Sequence, residues 1–126
     1  INNDGFPDII TANIQEPNVV YFGDKQLRYS KSQEFDSEDL NSFAVATGDL
    51  DQDGDIDIII GNDSEPNAVF LNQKDGSKWQ KLTLADENFS TYDIIAADVN
   101  GNGRLDIIEA NSDEVNRYYF NVEVKK

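Results

Sequence analysis

The 126-residue sequence has no cysteine, no histidine and no methionine, with one tryptophan and three prolines. Without His or Cys it can build no Ser-His-Asp or Cys-His nucleophile, no thiolate site and no zinc site of the usual kind. Disulfides are excluded, and the redox compartment stays open. Cationic residues are scarce, with 10 Lys and Arg against 25 Asp and Glu, a net charge of −15. That balance argues against nucleic acid or an anionic membrane as partner, since both reward Lys and Arg. No apolar run approaches the ~18 residues needed to span a bilayer. No leader is visible, and the missing Met makes the chain read as a mature or excised piece, so the location of its parent stays open.

What remains is an ample supply of carboxylates, amides and hydroxyls, the ligand set of a hard cation. Sliding the chain by 49 residues aligns three copies of one pattern without gaps. Gly5, Gly54 and Gly103 coincide, as do Asp8, Asp57 and Asp106. The Ile pairs at 9–10, 58–59 and 107–108 follow, then Asn13, Asn62 and Asn111, and Asn18, Asn67 and Asn116. Upstream, "SFAVATGD" (42–49) matches "TYDIIAAD" (91–98) at the same shift. A repeat of this period is one supersecondary unit that buries its faces against its neighbours.

Each unit reads as short strands separated by turn chemistry. Phe43 to Gly48 form a first strand with small residues, and the continuous apolar run "DIIIGN" (57–62) suits a strand buried on both faces. "SEPN" (64–67) and "QKDGS" (73–77) are turns, flanking strands at "AVFLN" (68–72) and "WQKLTL" (79–84). Helical periodicity is missing over any useful length. The pattern predicts an all-β protein of β-propeller-type blades, each of four antiparallel strands. Residues 1–126 form one repeat region: a partial blade at 1–41, a complete blade at 42–90 and a partial blade at 91–126. The first copy lacks its opening strand, and the last stops near "RYYFNVEV" (117–124) before a fourth. About ten strands cannot close a ring of ~4–8 blades, so further blades of a parent chain or other copies are expected to complete it.

The loops between the first two strands concentrate the acid. They read "DLDQDGDID" (49–57), "DVNGNGRLD" (98–106) and, truncated, "INNDGFPD" (1–8). Carboxylates or amides at positions one, three, five and nine can wrap one centre, with the seventh carbonyl, while Gly at six supplies the sharp turn. Oxygen-only ligands favour calcium over transition metals. In the second copy Asp49, Asp51, Asp53 and Asp57 are the side-chain candidates and Asp55 the carbonyl donor, its side chain facing solvent. In the third copy Asp98, Asn100, Asn102 and Asp106 take those places with the Arg104 carbonyl, and two amides predict weaker binding. In the first, Asn2, Asp4, Asp8 and the Phe6 carbonyl leave an incomplete site. Water-satisfied Asx turns are the plain alternative. An EF-hand needs Glu at the twelfth position and flanking helices; Ile60 rejects it in the second copy, and Glu109 of the third lies in a strand-like run.

Together, "FAVATGDLDQDGDIDIIIGN" (43–62), "YDIIAADVNGNGRLDIIEAN" (92–111) and "NNDGFPDIITAN" (2–13) resemble the FG-GAP/VCBS repeat family of calcium-binding β-propellers, which includes the integrin α-subunit headpiece and many bacterial surface proteins. The Pro-Asn turn and aromatic strand of "EPNAVFLN" (65–72) look like the bacterial variety. The resemblance implies a calcium-stapled scaffold, secreted or at the cell surface, that binds proteins or glycans, and the leading reading is a non-catalytic binding module. Two other readings remain: a fragment of a propeller-type polysaccharide lyase, for which no catalytic base stands out here, and a structural repeat of a surface filament. Glu16-Pro17-Asn18 and Glu65-Pro66-Asn67 are read as capped turns, and Trp79 as core packing rather than a sugar platform.

Overall fold

The computed structural model describes residues 1–123. The described residues form ten strands and no helix, in three antiparallel sheets. The first sheet holds β1 (Ile9–Thr11), β2 (Asn18–Phe22) and β3 (Lys31–Asp36) in that order. The second is complete, with β4 (Ser42–Gly48), β5 (Asp57–Asn62), β6 (Ala68–Asn72) and β7 (Trp79–Thr83). The third holds β8 (Thr91–Ala97), β9 (Asp106–Asn111) and β10 (Arg117–Tyr119). This is a partial, open propeller: one four-strand blade between two three-strand ones. The expected strand at 117–124 is shorter than its sequence suggested, and Val124 lies outside the described residues, as do Lys125 and Lys126.

Burial explains the apolar run of β5, whose six residues are all buried. Alternation sends its side chains to both faces. Ile58 and Ile60 join Val20, Phe22, Phe35 and Phe70 between the first and second sheets. Ile59 joins Val69, Ile94 and Ile107 between the second and third. The protein therefore has two cores, each of them an interface between blades. Trp79 packs in the first, its ring centroid 5.7 Å from Phe35, which is the core role expected of it.

Polar residues at repeat spacing fix the blades to one another. The backbone N–H groups of Asn13, Asn62 and Asn111 donate to the side chains of Asn18, Asn67 and Asn116 at 2.7–2.8 Å, closing each second hairpin. The same Asn18 and Asn67 amides reach across to the next blade. Asn18 Nδ2 donates to Ser42 Oγ at 2.9 Å, and Ser42 Oγ donates on to Asn62 Oδ1 at 2.8 Å. One repeat later, Asn67 donates to Thr91 Oγ1 at 2.7 Å and Thr91 to Asn111 at 2.6 Å. Bulges at Ser42/Ala44 and Thr91/Asp93 turn both hydroxyls into these buried relays. Removing one partner would strand a desolvated amide at about 1–3 kcal/mol. Glu109 belongs to the same system: only 2% exposed, it accepts from Asn67 Nδ2 and from the Tyr119 hydroxyl. It sits within β9, as the strand reading required.

Candidate metal centre

The three Asp-rich loops lie side by side at one end of the blades and are tied together. Asn3 Nδ2 donates to Asp55 Oδ1 at 2.7 Å, and Gln52 Nε2 donates to the Gly103 carbonyl at 2.9 Å. The Asp55 side chain, expected to face solvent, therefore serves as a lacing point between loops. Backbone geometry repeats with the sequence. Position four is left-handed in each copy (Asn3, Gln52 and Gly101 at φ 55°, 65° and 75°), and so is the glycine at six (Gly5, Gly54 and Gly103 at 84°, 95° and 81°). A Cβ at the latter would be strained, which is why glycine recurs there.

The ninth position does the same work in every copy. Asp57 accepts from the N–H of Leu50 at 2.8 Å and of Asn72 at 2.9 Å. Asp106 accepts from Val99 at 3.0 Å and Asn121 at 2.8 Å, and Asp8 from Ile1 at 2.8 Å and Gly23 at 3.0 Å. Each carboxylate pins the start of its own loop to the end of the third strand. Each Asp57 oxygen still has a free lone pair after these bonds.

The first position separates the loops. In 49–57, Asp49 Oδ2 accepts from Gly54 N–H at 3.1 Å, while Asp49 Oδ1 is buried and has no donor. Carboxylate oxygens of Asp49, Asp51 and Asp57 come within 4.8 Å of one another. Partial desolvation, then the charges of Asp53 and Asp49, push the Asp51 carboxyl above its usual range. Burial pushes Asp57 up as well, with Asp51 and Asp53 adding to it and the two N–H donors opposing. Asp53 is exposed and caps its own turn, accepting from Asp55 N–H at 2.9 Å.

In 98–106 the corresponding atoms are occupied. Asp98 Oδ1 accepts from the N–H groups of Gly101 at 2.7 Å and Asn102 at 3.1 Å, and Oδ2 from Gly103 at 2.8 Å. Those backbone donors, Gly103 first, hold its carboxyl below the ordinary range. Asn100 turns its amide donor toward Asp106 at 3.4 Å. Asn102 accepts from Arg104 N–H at 2.8 Å and donates to the Asn121 carbonyl at 2.9 Å. The truncated loop is also internally paired: Asn2 Nδ2 donates to Asp4 at 2.9 Å and Phe6 N–H to Asp4 at 2.9 Å.

A family model described as FG-GAP-like repeat matches residues 1–60 and again residues 49–109. The chain belongs to the FG-GAP-like repeat family. Each match takes in one Asp-rich loop and the next, so the repeat read from spacing is the family's repeat. No curated protein and no solved structure matches the chain.

Two parts of the FG-GAP-like unit were not assigned a role by sequence reasoning. The Ser42/Thr91 relay was visible only as a hydroxyl recurring at the repeat spacing. Asn72 and Asn121 were likewise visible only as a coincidence. Asn72 Nδ2 donates to the Ile1 and Ile56 carbonyls at 3.1 and 3.3 Å, and Asn121 Nδ2 to those of Leu50 and Leu105 at 2.7 and 3.2 Å. Each joins its own loop to the preceding one.

Proposed function

We propose that the chain is a segment of a calcium-dependent extracellular propeller that acts as a non-catalytic scaffold for a protein or glycan partner. The observation that carries the calcium reading is Asp49 Oδ1, a buried oxygen without a donor beside the Asp51 and Asp57 carboxylates. A buried carboxylate oxygen left without a donor is costly, and a hard divalent cation is the compensation that fits an all-oxygen donor set. Asp49, Asp51 and Asp57 would hold it, with Asp53 and the Asp55 carbonyl next in reach by position in the loop. A cation there supplies charge neutralisation and a staple across the loop, without chemistry of its own. The loop at 98–106, with its first aspartate already satisfied, is a weaker site, and the loop at 1–8 weaker still. Mass action supports an extracellular setting. A site of Kd ~10⁻⁴ M in about 1 mM calcium adds roughly 1.4 kcal/mol of stability, a gain lost at cytosolic levels.

The binding role has its own support in the two bulges of β4 and β8. They expose Phe43 and Tyr92, one repeat apart, with ring centroids 5.5 Å apart, an aromatic surface suited to the apolar face of a sugar or a partner side chain. Glycan and protein arrays probed in about 1 mM calcium, with an EDTA control, test the reading. Retention of a partner in calcium and its loss in EDTA is expected. Cleavage of an acidic polysaccharide by the chain, seen as new unsaturated-uronate absorbance, would establish the lyase reading instead.

A further inference from the structure

The passage from the outer strand of one blade to the opening strand of the next occurs twice among the described residues, after β3 and after β7, and the two junctions are filled differently. At the second, Arg117 of β10 reaches the linker that follows β7. Its Nη1 donates to Glu87 Oε2 at 3.1 Å, and its guanidinium carbon lies 4.1 Å from the centre of the Phe89 ring. At a shift of 49 residues, Arg117, Glu87 and Phe89 correspond to Ala68, Glu38 and Leu40. Ala68 has no side chain to fill that space. A cavity of about 310 Å³ lies there instead, with Glu38, Leu40, Glu65, Pro66, Ala68 and Lys81 in its wall. Lys81 reaches it from β7 and pairs with Glu38, with Asp36 Oδ1 3.5 Å away. One ammonium does not satisfy the acceptors gathered here. Asp36 is 3% exposed, and its Oδ2 is buried with no donor. Glu65, half-buried, pairs with no basic side chain among the described residues. Three carboxylates thus cluster round a single cation, beside the apolar surfaces of Leu40 and Pro66.

We propose that this cavity is a binding site for a guanidinium group, carried by an arginine side chain of a protein partner or by a small guanidinium compound. The occupant is defined by what fills the other junction: a planar cation, paired with the carboxylate at the Glu38 position and laid on the apolar residue at the Leu40 position. A guanidinium presents five N–H donors in a rigid fork, enough to serve Glu38 and Glu65 together. It is also weakly enough hydrated to lie against Leu40 and Pro66. An ammonium is a compact, strongly hydrated charge, and Lys81 already supplies one. A guanidinium that takes over Glu38 frees Lys81 to close on Asp36, so the same event satisfies the buried oxygen. An anionic ligand would meet an excess of carboxylates, whereas the net charge of −15 draws a cation in from a distance. The loop at 49–57 enters β5 and the turn at 63–67 leaves it, so the site lies at the other end of the blade from the Asp-rich loop and does not rest on the metal reading.

The probe is N-acetyl-L-arginine amide, titrated into the isotope-labelled 126-residue chain in calcium and followed by backbone amide chemical shifts. Saturable shifts are expected at 38–40, 67–68 and 81, with none that saturate in the loops at 49–57 and 98–106. Glu65→Gln should weaken binding roughly fivefold or more, by removing one charged acceptor. Ala68→Arg should weaken it by at least as much, because it supplies the guanidinium in place, as Arg117 does at the other junction. Glu65→Gln keeps the side-chain volume in a half-buried turn, so folding does not cloud that variant. N-acetyl-L-lysine amide should bind roughly fivefold more weakly than the arginine compound. A capped Ala-Arg-Ala peptide that binds more tightly than the single residue makes a protein partner the source, and equal or weaker binding makes it a small guanidinium compound; both support the site. No saturable shifts, binding indifferent to both substitutions, or equal binding of the lysine compound overturns it.

Discussion

In the loop at 49–57 the first aspartate keeps one oxygen buried and undonated, whereas in the loop at 98–106 its counterpart takes three backbone N–H bonds. The left-handed positions coincide in the two loops, and the ninth aspartate pins the same two amides in each. The difference begins at positions three and five, where Asp51 and Asp53 become Asn100 and Asn102. An amide brings donors as well as an acceptor. Asn100 and Asn102 use those donors on Asp106 and on the Asn121 carbonyl, while the backbone N–H groups of Gly101, Asn102 and Gly103 satisfy Asp98. Like-charged neighbours cannot do this for one another, and in the loop at 49–57 one Asp49 oxygen stays buried without a donor. The two copies of the motif thus differ where Asn stands in place of Asp.

The shared part of the comparison has the largest expected effect. Asp57→Ala strands two buried N–H groups and Asp106→Ala two part-buried ones, and each should cost roughly 2–3 kcal/mol in urea unfolding of the EDTA-treated chain, Asp57→Ala the more. A much smaller loss for Asp106→Ala would mean that the third blade is not part of the cooperative unit. Next come the relays. Ser42→Ala and Thr91→Ala should each lose about 1–3 kcal/mol, because each leaves buried amide groups without a partner. Calcium should not rescue either.

Asp49→Asn and Asp98→Asn then separate the loops by sign. In EDTA the first should raise the melting temperature by relieving like-charge crowding, and it should abolish the further rise caused by calcium. The second should lower the melting temperature in EDTA and leave the calcium response largely intact. Equal behaviour of the two would break the comparison. The smallest effect is a pH dependence remote from the loops. Asp36, 3% exposed, lies near Lys81 at 3.5 Å, and Lys81 also pairs with Glu38. Burial raises its carboxyl above the ordinary range despite Lys81. The folded state then holds the Asp36 proton more tightly than the unfolded chain, so its contribution to stability falls as pH rises through that raised value. The melting temperature of the parent relative to Asp36→Asn should therefore increase as pH is lowered from neutrality toward the normal aspartate range.

Much of this was legible in the sequence because the repeat spacing is uniform and ungapped. The spacing alone places β4 to β7 and their counterparts, and the continuous run at 57–62 announces a strand covered on both sides. Glu109 was readable as a strand residue only because the repeat equates it with Ile60. The division between the loops was legible in direction, since two amides for two carboxylates predicts weaker cation binding. Its cause was not. Nothing in "DVNGNGRLD" says that Asp98 turns toward the backbone of its own loop, because that choice depends on where the amide donors of Asn100 and Asn102 find acceptors in three dimensions. Asp55 shows the same limit: its solvent-facing side chain is taken by Asn3, 52 residues away in sequence. The relays of Ser42 and Thr91 depend on bulges, which leave no mark on composition.

We propose that the loop at 49–57 is a cation site, whereas its neighbour at 98–106 is largely closed by its own hydrogen bonds. Calorimetric titration of the EDTA-stripped chain with calcium tests it most directly, run in parallel on Asp49→Asn and Asp98→Asn. One dominant binding step, absent in Asp49→Asn and kept in Asp98→Asn, is the predicted result. Two equal steps, or a dominant step that survives in Asp49→Asn and vanishes in Asp98→Asn, would contradict it.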